Sequence, residues 1–351
     1  MSQSVQVSCV SVVGETKSVK VFRFRVLGAI FESAEYKAGR YVSLGFSGVN
    51  GSPQERCYSI IRVVPPNQFE VAIQESGRQQ VADRLFNTLA VGDLLSSQVP
   101  AGDITVERLL SCKQVLMLAG GIGVTLPIGL LRALDSHYQK LGYAPSVRLV
   151  WCVPSLSDAP FVVELLALEA SSPWLSVDLY LTRSLRSGVC EPFHQGRPSA
   201  ATFDCLPTPD AVVICGSQSF ARSMQERVRK FPQSEVMIEA FSSASVSLKN
   251  IGGTEAATRY LQVQGVAELI ALRPGKSLLE HLLESDISVP HQCRSGICGS
   301  CRIKMIRGTC QLEADFALGE AERAAGYVLA CCAFPADESV TVAVNQFGSN
   351  N

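Results

Sequence analysis

The segment Cys293-Arg-Ser-Gly-Ile-Cys298-Gly-Ser-Cys301, read with Cys331, sets four thiols at spacings x4, x2 and x29. That spacing is a ligand pattern for a [2Fe–2S] cluster, whose loop wraps closely round the inorganic core and needs glycine where a side chain would clash. Gly296 and Gly299 stand inside the loop. Clustered cysteines can also be a zinc site or a set of buried free thiols, but zinc usually takes Cys-x2-Cys pairs at both ends, which this arrangement lacks. A centre of this kind accepts one electron at a time, so the rest of the chain is read for an electron source.

At 351 residues the chain is too long for one core and predicts two or three domains. Hydrophobic residues make up 47% and charged residues 18%, an ordinary balance for a folded protein with no sign of disorder. A net charge of −1 gives no reason to expect nucleic acid or a membrane surface as partner. Thirteen cysteines without a secretory leader point to a reducing compartment, with the cytoplasm as the default. Val115 to Leu131 carries no charge, but Gly120, Gly121, Gly123 and Pro127 near its middle fit a buried strand turning into a helix, not a membrane span.

The elements needed to position such a centre follow from periodicity. Val19–Val26 alternates, with Phe22, Phe24 and Val26 opposite Arg23 and Arg25, and Phe69, Val71 and Ile73 alternate in the same way. With turn clusters at Val49–Pro53 and Pro65–Asn67, the first hundred residues read as an all-β unit, most simply a barrel. After Pro100-Ala-Gly-Asp103, apolar runs at 114–118, 146–151, 175–181 and 211–214 alternate with helical stretches at 124–140, 158–170 and 219–230, which means a parallel sheet with helices on its faces. Ser242–Ser247 and Gly252-Gly253 form a small-residue link. Beyond it, 260–266 alternates again, and Ser277 with Glu280 forms a capping-box pattern for a helix just before the cluster loop.

Two motifs upstream carry chemistry. In Arg56-Cys57-Tyr58-Ser59-Ile60, strand alternation puts Arg56 and Tyr58 on one face, where they could clamp a phosphate and stack on a flat heterocycle, though a Tyr and an Arg on a strand are more often plain cross-strand neighbours. Leu118-Ala-Gly-Gly-Ile-Gly123 sits where a strand gives way to a helix, a place where a pyrophosphate can reach backbone N–H groups; without the full G-x-G-x-x-G spacing it reads equally as a tight connection. Ile214-Cys215-Gly216-Ser217 ends another strand at the same expected sheet edge.

Arg56–Ser59, Gly120–Thr125, Cys215-Gly216 and Glu239-Ala-Phe241 occur in the order and spacing of the ferredoxin–NADP reductase superfamily. The last hundred residues, including Gly326-Tyr-Val-Leu-Ala-Cys331, resemble a plant-type ferredoxin, so the resemblance spans nearly the whole chain. Its domain order resembles that of the reductases of multicomponent oxygenases. The resemblance implies an all-β flavin-binding barrel over 1–108, an α/β parallel-sheet nicotinamide-binding domain over 109–241, a linker over 242–256, and an α+β β-grasp ferredoxin domain over 257–351.

By the same resemblance, Arg56 binds flavin phosphate, Tyr58 packs on the isoalloxazine, and Ser59 hydrogen-bonds near its N5. Gly77 and the following turn close over the flavin phosphates, although Ala82 in Arg78–Ala82 stands where relatives usually have Ser or Thr. The Pro100–Asp103 turn favours FAD, with FMN as the alternative. Gly120, Gly121, Gly123 and Thr125 hold the nicotinamide dinucleotide, with Cys215 and Gly216 near the nicotinamide and Glu239 and Phe241 closing the flavin side. Leu126 before Pro127 departs from the commoner Thr-Pro pair. Arginines in Thr182–Arg186 would suit NADPH, whereas the oxygenase reductases mostly use NADH, which is expected here. Ser59, Cys215 and Glu239 are the expected catalytic group, and Cys293, Cys298, Cys301 and Cys331 the iron ligands.

The implied route is NADH to flavin to [2Fe–2S] to the oxygenase component of a Rieske-type or di-iron system, because a hydride donor and a one-electron acceptor need a flavin between them. A reductase serving another redox protein, of the hybrid-cluster-protein type, and a redox sensor without turnover remain as alternatives. Arg294, Arg302, Lys304 and Arg307 either offset the cluster's negative charge or form a rim that docks an acidic partner. His137, His194, His281 and His291 show no metal spacing and read as surface or packing residues, as Cys332 and Cys310 read as bystanders.

Overall fold

A computed structural model of the chain describes residues 4–28, 35–47, 53–77, 81–183, 192–241 and 259–344. The expected turn at 49–52, the segment 78–80, the arginine-bearing loop from 184, Cys190 and the linker 242–256 lie outside these residues. The chain divides into two compact units, Met1–Phe241 and Ser242–Asn351.

The first unit begins with a seven-stranded antiparallel sheet formed by β1 (Ser4–Thr16), β2 (Val19–Leu27), β3 (Tyr41–Ser47), β4 (Pro53–Ser59), β5 (Arg62–Val64), β6 (Gln68–Gln74) and β7 (Leu94–Gln98). Helix α1 (Val81–Thr88) lies between β6 and β7. The strand order is β4-β3-β7-β1-β2-β6-β5, so the two edge strands are joined by Ile60 and Ile61 alone. Ile60 N–H donates to Arg40 O and Ile61 N–H to Glu70 O, which curls the sheet into a barrel. Phe22, Phe24, Phe69, Val71 and Ile73 fill its interior.

Strand β6 departs from simple alternation: Glu70 and Ala72 are buried along with Phe69, Val71 and Ile73. The cause is a second covering layer. Val19, Ile61 and Ala72 on the barrel's outer face share one apolar cluster with the core of the sheet that follows, and Glu70 is covered by the guanidinium groups of Arg23 and Arg62.

After α2 (Val106–Leu109) comes a six-stranded parallel sheet, β8 (Gln114–Gly120), β9 (Ser146–Val153), β10 (Leu175–Leu181), β11 (Phe193–Gln195), β12 (Ala211–Ser217) and β13 (Glu235–Phe241). Its helices are α3 (Thr125–Leu141), α4 (Val162–Ser171), α5 (Ala200–Asp204) and α6 (Gln218–Val228). Helix α4 starts later than the sequence predicts, because Phe161 takes a left-handed conformation at φ 63° and a separate 3-10 turn covers Leu156–Asp158. The strand order β11-β10-β9-β8-β12-β13 reverses direction between β8 and β12. Ligands of open parallel sheets bind in the crevice that such a reversal leaves beyond the strand carboxyl ends.

The second unit has a five-stranded sheet of order β15-β14-β20-β16-β18, made of β14 (Tyr260–Val263), β15 (Leu269–Ala271), β16 (Arg302–Arg307), β18 (Tyr327–Leu329) and β20 (Ser339–Ala343). A separate pair joins β17 (Cys310–Leu312) to β19 (Ala333–Pro335). Helix α7 (Leu278–Glu284) carries the capping box, with Ser277 accepting from Glu280 N–H and Glu280 accepting from Ser277 N–H, and α8 (Glu320–Ala324) is a short surface helix. Leu261, Leu278, Leu282, Ile303, Val340 and Val342 form its core, and the long loop between α7 and β16 holds Cys293, Cys298 and Cys301.

Candidate functional site

The first site forms where β4, the start of α3, and the ends of β12 and β13 meet. Helix α3 reaches the barrel because Gly129 has no side chain: a Cβ there would stand 2.7 Å from Ile60 O. Three residues on, Arg132 Nη1 donates to Ile61 O at 3.0 Å, while Nε and Nη2 of the same side chain grip Glu164 at 2.7 and 2.6 Å. This fastening sets Thr125, the first residue of α3, against Ser59, the last of β4, with their hydroxyl oxygens 3.2 Å apart. In register on neighbouring parallel strands, Cys215 faces Glu239. The Ser59 hydroxyl donates to Glu239 Oε1, and Cys215 Sγ approaches the same oxygen at 4.0 Å. Ser59, Thr125, Cys215 and Glu239 thus form one buried cluster.

Its electrostatics follow from burial. Desolvation pushes the Glu239 carboxyl up to about 7, with the Ser59 hydrogen bond opposing the shift only in part. The Cys215 thiol is held well above its ordinary range, first by burial and then by the neighbouring Glu239, so it remains a neutral S–H.

The remaining residues of the barrel motif sit beside it. Tyr58 adjoins Ser59 on β4, and its hydroxyl is buried without a hydrogen-bond partner among the described residues. Burial raises that phenol further above its usual range. An orphaned phenol beside a buried Ser–Glu pair fits a polar heterocycle laid against β4. Arg56 is engaged, donating to Glu55 O at 2.8 Å. Gly77 has φ +68° and open space where a side chain would project. At the start of α1, the Asp83 carboxylate accepts from both the amide and the hydroxyl of Ser76, so an acidic side chain occupies the region where the resemblance leads one to expect a hydroxyl for a phosphate.

At the crevice, β8 runs into the 3-10 turn Gly121–Val124 and then α3. Gly121 sits at φ +56° with nothing near its missing side chain, leaving its backbone approachable. Gly123 is required by contact instead, since a Cβ would stand 2.2 Å from Cys215 O. Gly120 and Gly216 both lie under the half-buried ring of Phe220, their would-be Cβ atoms 2.7 and 2.9 Å from it. Phe241 ends β13 opposite Ser217. Two residues that sequence reasoning missed belong here: Phe220, a lone aromatic in the polar first turn of α6, and Trp151, whose buried indole N–H donates to Gly121 O at 3.0 Å. A tryptophan closing a predicted core strand, aimed at a glycine turn, was the available signal for the second.

In the second unit the four thiols gather as two pairs, Cys293 with Cys298 and Cys301 with Cys331. The pairs also sense each other electrostatically, Cys293 responding to Cys331 and Cys301 to Cys298. Among the described residues no group of three or more ligands surrounds a single point. Two pairs side by side suit a binuclear centre in which each iron takes two protein thiolates, and four cysteines are the ligand set of a [2Fe–2S] cluster. The loop's backbone follows the same need: Gly296 and Gly299 have φ of +75° and +72°, and a Cβ on Gly296 would stand 2.7 Å from Ala314 O. Ser295 N–H and Cys298 N–H both point at Cys293 Sγ, each at 3.4 Å.

Residues 261–336 match the family described as the 2Fe-2S iron-sulfur cluster binding domain. The chain has a ferredoxin-reductase-like fold with a 2Fe-2S ferredoxin domain at its carboxy-terminal end. The chain is 24% identical over 357 residues to the ferredoxin reductase component of 3-ketosteroid-9-alpha-monooxygenase from Rhodococcus rhodochrous, covering 97% of each chain. It is 25% identical over 308 residues to the NADH oxidoreductase HCR of Escherichia coli strain K12, covering 87% of this chain and 88% of that one. Among solved structures it is similar to phthalate dioxygenase reductase, with a TM-score of 0.70, 18% identity, and coverage of 97% and 98%.

The basic rim expected round the cluster loop is only partly available for a partner. Arg302 is tied to Glu322 at 2.9 Å, Arg294 Nη2 donates to His291 Nε2 at 3.1 Å, and Lys304 lies over the Tyr327 ring, while Arg307 is exposed. The histidines serve packing and local bonding. His281 is buried, bonding Ser277 O and accepting from Arg273 N–H, and His194 stacks on Tyr180 and bonds Asp178.

Proposed function

We propose that this protein is an NADH-dependent flavin and iron–sulfur reductase that passes electrons from NADH through FAD to the [2Fe–2S] centre and on to an external oxygenase component. One observation carries the reading: Ser59, Thr125, Cys215 and Glu239 converge in a buried cluster at the switch point of the sheet, in the same chain as a [2Fe–2S] domain. A flavin takes two electrons from a nicotinamide and releases them singly, which is what a one-electron iron–sulfur acceptor requires.

Each residue then has a task its geometry supports. Tyr58 stacks on the flavin ring and offers its orphaned hydroxyl to a polar edge. The Ser59 hydroxyl, held between Thr125 and Glu239, stands ready to bond the ring edge next to the hydride path. Glu239, which burial keeps protonated up to about pH 7, and the neutral thiol of Cys215 keep net charge off that path below that pH and exclude water. Arg56 and Gly77 meet flavin phosphate. Gly120, Gly121 and Gly123 let the dinucleotide approach the backbone at the start of α3, with Thr125 and Gly216 flanking it and Phe241 on the flavin side. Cys293, Cys298, Cys301 and Cys331 hold the cluster.

The acceptor is an oxygenase of the Rieske or di-iron kind, supported by the 24% identity to a monooxygenase reductase component. The similarity to an NADH oxidoreductase of another description favours a second reading, in which the acceptor is a different redox protein. No described helix is long and apolar enough to cross a membrane. The many free thiols support the cytoplasm as the working compartment. Anaerobic visible spectra before and after NADH test the proposal: flavin and cluster bands must both be present and both bleach. Flavin that NADH leaves oxidised would refute it, as would release of FMN for the choice of FAD. Reduction that proceeds as fast with NADPH would refute the choice of NADH.

A further inference from the structure

The cluster loop has a fifth thiol beside its four ligands. Cys332 follows the ligand Cys331 in the 3-10 turn Ala330–Cys332, is 1% exposed, and has its Sγ 3.5 Å from Cys331 Sγ. Its backbone is fixed independently, because Cys332 O accepts from Glu313 N–H at 2.9 Å and the turn packs against α7. A cysteine binds iron as its thiolate and then has no proton to donate. Of the two sulfurs in contact, only Cys332 can therefore be the donor.

We infer that Cys332 is a positioning residue whose S–H donates a hydrogen bond to the Cys331 ligand sulfur and raises the reduction potential of the [2Fe–2S] centre. The inference rests on the assignment of the cluster to Cys293, Cys298, Cys301 and Cys331. A donor at a ligand sulfur stabilises the reduced cluster more than the oxidised one, since the added electron increases the negative charge on the sulfurs, and hydrogen bonds to sulfur are among the determinants of such potentials. Ligand Cys293 receives backbone donors from Ser295 and Cys298, and the Gly296 N–H is directed at Cys331; Cys332 adds a side-chain donor to that sulfur.

The test is a redox titration of the cluster in the full-length protein, followed by its visible and electron paramagnetic resonance signals, for Cys332→Ala, Cys332→Val and Cys332→Ser. Ala and Val remove the donor, and each should lower the equilibrium constant for cluster reduction three- to tenfold, tenfold being about 59 mV for one electron. Ser keeps a donor and should stay within about twofold of the unsubstituted protein. The flavin potential should not move in any of them. Equal shifts in all three variants, or none in any, would overturn the inference. So would loss of the cluster from Cys332→Ala together with its retention in Cys331→Ala, which would make Cys332 the fourth ligand. An unsubstituted protein without cluster bands would instead sink the cluster assignment itself.

Discussion

Replacing Glu239 by Gln keeps the shape of the side chain and an oxygen to accept from Ser59, but removes the proton that burial holds on the carboxyl. The ordinary carboxyl releases that proton near 4.5, whereas the folded protein retains it to about 7. Between those values the folded state binds the proton and the unfolded state does not, so the stability linked to this group is full below 4.5 and declines as pH rises, levelling off above about 7. At about 1.4 kcal/mol per pH unit, the decline amounts to roughly 3 kcal/mol. Glu239→Gln should therefore gain on the natural protein by up to that amount on going from pH 4.5 to pH 8. Cys215, the other titratable group in the cluster, keeps its proton throughout this range and cancels in the comparison. Urea unfolding followed by tryptophan fluorescence is the assay, because both tryptophans, Trp151 and Trp174, lie in the first unit and report on it alone. A difference between the two proteins that is the same at pH 5 and pH 8 would refute the assignment of a proton to Glu239.

The glycine turn offers a contrast between two neighbours. Gly123→Ala drives a Cβ into Cys215 O and should cost about 1–3 kcal/mol in urea unfolding and abolish flavin bleaching by NADH, whereas Gly121→Ala, with open space above it, should cost only the left-handed backbone penalty of about 1–2 kcal/mol. Arg132→Ala strips three hydrogen bonds from the junction of α3 with the barrel and should destabilise the first unit by about 1–3 kcal/mol. Arg132 also holds the Glu164 carboxyl below its usual range, a contribution present at neutral pH and lost on acidification, so the variant should show a smaller fall in stability between pH 6 and pH 3. Cys301→Ser should eliminate the cluster absorption while NADH still bleaches the flavin; loss of both signals would contradict the separation of the two sites into two units.

The architecture was readable because its strands alternate or run apolar and its glycines stand at turns. Phe22, Phe24, Phe69 and Val71 marked a curved antiparallel sheet, and the apolar runs of β8, β9, β10 and β12 a parallel one. What alternation could not convey was the burial of Glu70 and Ala72, since that depends on a second sheet packing against the outside of the first. The buried cluster round Glu239 was visible only as separate motifs: Ser59 and Glu239 are 180 residues apart, and nothing in either segment states the hydrogen bond between them. Helix α4 began late for a reason equally hidden, the left-handed turn at Phe161, whose N–H bonds Glu15 from a distant strand. Phe220 escaped notice because a single ring on a polar helix is an ordinary packing residue until the two glycines beneath it are seen.

The position of β20 has a bearing on how the protein is made. This strand, Ser339–Ala343, occupies the middle of the second unit's sheet, parallel to β14 on one side and antiparallel to β16 on the other. On the ribosome, every strand of the first unit has been delivered by residue 241, and that unit can fold while synthesis continues. The sheet that braces the cysteine loop has a gap at its centre until residue 343 has emerged. Translation halted before Ser339 would leave the cysteine loop without the central strand of the sheet that braces it.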